Sequence, residues 1–116
     1  MNKNTEAQTN SIKISEDVIT RIAEIAVGNV DGVSAFTKSK VKFGTLFKKE
    51  NSEAAIDVHS ENGSVDITVN IVVSYNTKVK KIAERVQEKS KSDVQNMTGI
   101  IVSKVNVIID GISFDD

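Results

Sequence analysis

The stretch AAIDVHSENGSVDITVNIVVSY, residues 54–75, decides the fold. Asn62-Gly63 is the preferred centre of a two-residue type I′ turn, and residues that alternate between apolar and polar flank it on both sides. Counting outward from this turn predicts the register of an antiparallel hairpin with one buried side and one polar side. The predicted pairs are Ile56 with Val69 and Val58 with Ile67 on the buried side, and Asp57 with Thr68 and His59 with Asp66 on the polar side.

A first helix is predicted ahead of the hairpin, from Ser15 to Gly28. Ser15 suits the N-cap because its hydroxyl can accept a hydrogen bond from an amide of the first turn. Glu16 and Asp17 follow it, where negative charge complements the helix dipole. Gly28-Asn29 is a stop signal. Helical spacing predicts that the buried stripe of this helix consists of Val18, Ile19, Ile22, Ala23, Ile25 and Ala26.

A second helix and a last strand are predicted after the hairpin. The helix runs from an N-cap at Asn76 to about Met97, and Ser90 is the polar interruption of its apolar stripe. Gly99 sits where a helix end favours a left-handed residue. The strand Ile100–Ile109 is apolar on both sides except for Ser103, Lys104 and Asn106, which predicts a more central place in the sheet than the hairpin. The connecting helix is long enough for a right-handed parallel crossover.

Two short strands complete the prediction, Ser11–Ile14 before the first helix and Val33–Thr37 after it. The element order is then β-α-β-β-β-α-β. This is an α+β fold with two helices packed on one face of a small mixed β-sheet. Residues 1–10 are expected to form a floppy tail, and residues 11–114 a single domain.

Composition restricts the function of the chain. It has 116 residues, a net charge of -1 and no cysteine. Disulfides and thiolate metal sites are therefore excluded, and no general attraction for nucleic acid is expected. The N-terminus lacks the apolar stretch of a secretory signal, and no segment reaches the roughly 20 apolar residues that a membrane-spanning helix needs. We expect a cytoplasmic protein that does not insert into a membrane.

The polar side of the sheet is the first candidate surface. It carries Asp57, His59, Asp66, Thr68 and Asn70. His59 with Asp57 and Asp66 could form a His/carboxylate cluster, because residues two apart on a strand point to the same face. A metal site, however, needs three or four convergent ligands and a second shell. A cross-strand ion pair between His59 and Asp66 accounts for the same residues, so we expect an interaction surface without metal or cofactor.

Catalytic motifs are not recognisable in the sequence. None of the serines lies in a G-x-S-x-G elbow, and the glycines form no phosphate-binding loop. His59 is the single histidine and has no serine directed at it. We expect a protein without enzymatic activity.

Residues 38–50, KSKVKFGTLFKKE, are the second candidate surface. Phe43, Leu46 and Phe47 lie among the lysines, so the segment could bind anionic lipid or another polyanion. Each lysine close to an anionic membrane contributes about 1 kcal/mol. The alternative is a solvated loop whose aromatic residues pack under the sheet. The five lysines of this basic segment are Lys38, Lys40, Lys42, Lys48 and Lys49.

Three stretches carry a resemblance to a known family: SIKISEDVITRIAEIA (11–26), IVVSYNTKVKKIAERVQEKSKSDVQNMTGI (71–100) and VNVIIDGISF (105–114). Together they resemble the alkaline shock protein family, the envelope stress-response proteins of Gram-positive bacteria, including the YloU-like branch. The basic segment departs from the family's pattern.

The resemblance implies a non-enzymatic protein-interaction or scaffold module at or near the inner membrane face. It also implies a protein partner, for which a small membrane-anchored protein is one candidate, and it leaves room for self-association. No catalytic, cofactor or metal residues follow from it. The alternative remains a peripheral lipid- or polyanion-binding domain that uses the basic segment.

Overall fold

A computed structural model describes residues 12–36 and 55–114 of the chain. The predicted tail and the basic segment lie outside these residues. The described elements form an α+β fold, with both helices against one face of a four-stranded sheet. In chain order they are α1 (Glu16–Gly28), β1 (Val33–Phe36), β2 (Ile56–Glu61), β3 (Ser64–Ser74), α2 (Val79–Thr98) and β4 (Ile101–Ser113).

The β2–β3 hairpin has the register that the sequence predicts. Asn62 and Gly63 both have positive φ, 53° and 85°, as a type I′ turn requires. Ile56 faces Val69 and His59 faces Asp66. Along β3, buried and half-buried residues alternate over the whole strand, because one face lies under the helices and the other does not.

The central strand of the sheet is β3. One of its edges is shared by β2, which pairs with residues 64–69, and by β1, which pairs with residues 71–73. Its other edge pairs in parallel with β4, as the predicted crossover requires. The prediction that the last strand is more central than the hairpin is wrong, because no strand among the described residues lies beyond β4.

Helix α1 has the predicted caps but a narrower buried stripe. The Ser15 hydroxyl accepts a hydrogen bond from the Val18 amide at 3.3 Å, and Asn29 follows the last helical residue. Val18 and Ile25 are 46% and 58% exposed, contrary to the prediction. The helix packs against α2, β2 and β1 through one stripe, which turns these two side chains outward. The buried residues are Ile19, Ile22, Ala23, Ala26 and Val27.

Helix α2 ends at the predicted left-handed Gly99, whose φ is 79°. Its start differs from the prediction, because the N-cap is Lys78 and not Asn76. Asn76 has a φ of 69° and belongs to the turn that follows β3. Lys78 makes no side-chain capping hydrogen bond.

The predicted first strand is not formed by residues 12–14, which have no regular secondary structure. Ile12 is exposed, and none of the described strands lies beside it for pairing. Ser11 and Thr37, the outer ends of the two short predicted strands, lie outside the described residues. Strand β1 ends at Phe36, where the description of this part of the chain also ends.

Candidate functional site

The five polar residues predicted on the sheet lie together on the face opposite the helices. Asp66, Thr68 and Asn70 alternate with the buried Ile67 and Val69 along β3, so they point away from the core. On β2 the register sets Asp57 beside Thr68 and His59 beside Asp66. We call the surface formed by Asp57, His59, Asp66, Thr68 and Asn70 the open sheet face.

Strand β4 extends the open sheet face in a way that sequence reasoning missed. Its parallel register places Lys104 beside Asp66, Asn106 beside Thr68 and Ile108 beside Asn70. This register contains two irregularities, one of which falls between Val65 and Asp66. The β3–β4 register cannot be found by counting residues outward from a turn, because a long crossover joins the two strands and a bulge shifts their pairing. The sequence therefore offers no signal for these neighbours.

Side-chain hydrogen bonds cross from β3 to β4 on this face. The Asn106 Nδ2 donates to the Thr68 Oγ1 at 3.4 Å, and the Ser103 Oγ donates to the Ser64 Oγ at 2.9 Å. Both bonds lie on the exposed surface of the sheet. Linked side chains of this kind lose less rotamer freedom on binding, which favours a surface that meets a partner.

His59 is paired along its own strand and not across the sheet. Its Nε2 lies 3.6 Å from the Glu61 Oε1, and both side chains are about two-thirds exposed. The predicted ion pair between His59 and Asp66 is therefore wrong, although the two residues are register partners. Within residues 12–36 and 55–114, no three His, Cys, Asp or Glu side chains converge in a way that could hold a metal ion.

The open sheet face changes from polar to apolar along β3. At the β3 N-terminal end it carries His59, Asp66 and Lys104, which have both signs of charge. Toward the other end it carries Val72 and the partly exposed Ile108, with the exposed Asp110 beyond them on β4. Apolar side chains beside polar ones are the usual composition of a protein-binding surface.

Two adjoining clefts lie on the helix side, between the turn after α1 and helix α2. Their volumes are about 440 Å³ and 330 Å³, and Asp31 and Arg85 line both of them. Both basic and acidic side chains line them, and Lys89 is paired with Asp93 at 3.4 Å. Their lining contains no histidine and no nucleophile–base pair. Nothing in this arrangement identifies a substrate.

The helices offer no membrane span. Neither α1 nor α2, the helices of the part that the structure describes, is long and apolar enough to cross a bilayer.

The described elements together form a two-layer α+β fold with a partly polar sheet surface that neither α1 nor α2 covers. Residues 4–114 match the model of the alkaline shock protein 23 family, and the chain belongs to this family, which has a cell envelope-related function. The resemblance seen in the three sequence stretches is thereby confirmed.

Individual relatives agree with the family assignment. The chain is 33% identical over 104 residues to YloU of Bacillus subtilis, covering 87% of each protein. It is 32% identical over 106 residues to YqhY of the same organism, covering 90% of this chain and 78% of YqhY. Both are named as uncharacterized proteins, so they add no activity to the family's description.

Solved structures of the MamM CTD have a similar fold. One variant aligns with a TM-score of 0.50 at 12% identity, over 83% of this chain and 94% of that one. Two zinc forms of MamM CTD variants align equally well, at 12% and 11% identity. At this identity the likeness concerns the fold alone.

Proposed function

We propose that this chain is a non-enzymatic protein-interaction module of the cell envelope, and that it binds a protein partner through the open sheet face. The observation that carries the proposal is the position of both described helices on one side of the sheet, so that no described element covers the other side. A sheet face that no helix covers is available to a second protein.

The chemistry of the open sheet face supports a protein as the ligand. A binding surface typically combines apolar anchors with a polar rim that fixes orientation. Ile108 and Val72 supply the apolar part, and Asn70 lies beside Ile108 in the register. The charged residues at the opposite end would select the partner and orient it.

Family membership supports the location of this activity. The family is cell envelope-related. The described helices do not span a bilayer, so we propose that a membrane-anchored partner holds the chain at the inner membrane face.

A matched pair of asparagine substitutions tests the proposal. Asn70→Arg places a long cation in the middle of the open sheet face, whereas Asn96→Arg places the same group on the exposed side of α2. The tagged full-length chain would be used to capture proteins from a detergent-solubilised Gram-positive envelope, with quantification by mass spectrometry. We expect Asn70→Arg to reduce recovery of a specific integral-membrane protein at least about tenfold, a loss of roughly 1.4 kcal/mol.

The control variant Asn96→Arg should retain wild-type recovery, and circular dichroism should show that both variants are folded. Equal recovery by wild type and Asn70→Arg would contradict the use of the open sheet face. Failure of the wild type to recover any specific protein would contradict the interaction module itself.

The alternative function is direct binding of anionic lipid through the basic segment. It rests on the five lysines among Phe43, Leu46 and Phe47. Flotation with anionic and with neutral vesicles at low salt tests it, using wild type and a variant with all five lysines changed to alanine. Recovery with anionic vesicles alone, lost in the variant, would favour this alternative.

A further inference from the structure

The outer edge of β4 is the second surface of the sheet that the helices leave uncovered. In each bridged pair of a parallel ladder, one residue directs its N–H and C=O toward the neighbouring strand, and the other residue directs both groups away from it. The Asn70 amide donates to the Ala55 carbonyl, so the even-numbered residues of β3 direct their backbone groups toward β2. The odd-numbered residues Ile67 and Val69 direct theirs toward β4, where they pair with Val105 and Val107. On β4, the residues Val105, Val107 and Ile109 therefore direct their N–H and C=O groups outward.

Helix α2 satisfies part of this edge. The Gln95 Oε1 accepts a hydrogen bond from the Val102 amide at 3.0 Å. The Gln87 Nε2 donates to the Val105 carbonyl oxygen at 3.1 Å. Beyond Val105 the described residues place no strand or hydrogen-bonding side chain against the outward groups of Val107 and Ile109. Among the described residues, the edge is therefore covered at its start and open further along.

The apolar side chains of β4 follow the same gradient. On the helix-facing side, Val102 is 1% exposed and Val105 is 8% exposed. Val107 and Ile109 are half-buried, and Ile112 is 49% exposed. The helices thus cover the first half of the strand and leave apolar surface beside the open backbone groups.

We propose that β4 pairs in antiparallel fashion with β4 of a second copy of this chain, about a two-fold axis at Val107. This inference rests on the proposed function and names one of its partners. The axis at Val107 sets Lys104 opposite Asp110 in both directions across the interface. It also sets Val105 opposite Ile109 on the helix-facing side, and it forms about six new backbone hydrogen bonds.

Charge complementarity selects this register. An axis at Asn106 would set Lys104 opposite Ile108, and an axis at Ile108 would set it opposite Ile112. Neither gives the lysine an opposite charge, and an axis between two residues would set side chains from opposite faces against each other. Residues 104–109 follow β3 without a register shift, and the next irregularity falls at Asp110, between Ile109 and Gly111. The regular part of the new ladder therefore runs from Val105 to Ile109, and the two Lys104–Asp110 pairs lie at its ends.

The other outer edge of the sheet is a poorer candidate. Strand β2 presents the exposed charged residues Asp57, His59 and Glu61, a pattern that protects edge strands from pairing. Between residues 104 and 110, β4 has one lysine and one aspartate, Lys104 and Asp110, and the proposed pairing sets them opposite each other. Pairing through β4 would also join two open sheet faces into one continuous surface, which increases avidity for a repetitive or dimeric envelope partner.

Charge reversal tests the pairing and its register. Sedimentation velocity of the full-length wild type is expected to show a concentration-dependent dimer. Protein concentrations between about 1 and 200 μM suit a self-association of roughly micromolar affinity. Lys104→Glu and Asp110→Lys each create like-charge pairs at both ends of the interface, so each should weaken the dimer about tenfold.

Two further samples separate a specific interface from a general charge effect. The double variant Lys104→Glu/Asp110→Lys restores both opposite-charge pairs and should recover the wild-type dimer. An equimolar mixture of the two single variants should form a heterodimer, because the Lys104→Glu chain presents two carboxylates to the two lysines of the Asp110→Lys chain. Thermal unfolding shows whether every variant is folded.

A wild type that remains monomeric at 200 μM, far above roughly micromolar affinity, would overturn the proposal. Unchanged dimerisation of both single variants, or a mixture that forms no heterodimer, would overturn the register. Capture of envelope protein by the open sheet face is measured separately. A monomer that still captures a partner therefore refutes only the β4 pairing, and a dimer that captures nothing refutes only the envelope partner.

Discussion

Gly32 lies directly against Ile82, and its backbone has a φ of +99°. A Cβ at Gly32 would lie 2.9 Å from the Ile82 Cγ1 and still closer to the Cδ1. Ile82 is 4% exposed and belongs to the buried stripe of α2, so it has little room to move. This contact fixes the turn between α1 and β1 against the second helix.

Gly32→Ala is expected to destabilise the protein by about 3 kcal/mol, from backbone strain and steric overlap together. Gly63→Ala is the matched control, since Gly63 has a φ of +85° with nothing within 4 Å of an added Cβ. It should cost only about 1 kcal/mol. Urea unfolding measures both, and equal losses would contradict the role of Ile82.

Ser90 has a buried hydroxyl without a hydrogen-bond partner among the described residues. Ser90→Ala removes this unsatisfied group and improves helix propensity, so it should raise the free energy of unfolding by about 1 kcal/mol. Ser92→Ala, on the exposed side of the same helix, reports the change in propensity at a solvated position. If Ser90→Ala is no more stabilising than Ser92→Ala in urea unfolding, the hydroxyl is satisfied in solution.

The two helices differ in their N-caps. Ser15→Ala removes the hydrogen bond to the Val18 amide and should cost about 1 kcal/mol. Lys78→Asp supplies a capping side chain where α2 has none, and it adds a favourable charge at the helix N-terminus. It should therefore stabilise by about 1 kcal/mol. Differential scanning calorimetry should show opposite shifts in Tm, and a shift of the same sign for both would be inconsistent with this account.

Gln95 and Gln87 both contact β4, but with different consequences when they are lost. Gln95→Leu leaves the Val102 amide without its acceptor beside a buried side chain, so it should cost about 1–2 kcal/mol. Gln87→Leu removes a donor from the Val105 carbonyl, and because Gln87 is itself exposed, water can take its place. Its cost should be about 0.5 kcal/mol or less. Amide hydrogen exchange at Val102 should accelerate in the first variant alone, and equal acceleration in both would contradict this distinction.

Local chemistry determined much of the fold from sequence. The Asn62-Gly63 turn and the alternation around it predicted all of the hairpin pairs tested against the structure, because turn type and side-chain period specify one register. The Ser15 cap and Gly99 were also correct, since each depends on a few adjacent residues. The open sheet face followed directly from the hairpin, because its five residues lie on two adjacent strands.

Contacts between distant segments decided the rest. The apolar run of β4 is typical of a central strand, yet no described strand lies beyond β4, and β1 and β2 share the other edge of β3. The exposure of Val18 and Ile25 depends on where α1 packs, and the pairing of His59 with Glu61 depends on rotamers that no spacing specifies. Sequence alone therefore determined the turns, caps and strand faces, whose energies are local. Tertiary structure decided strand order and bulges, since these depend on which long-range arrangement buries the most apolar surface.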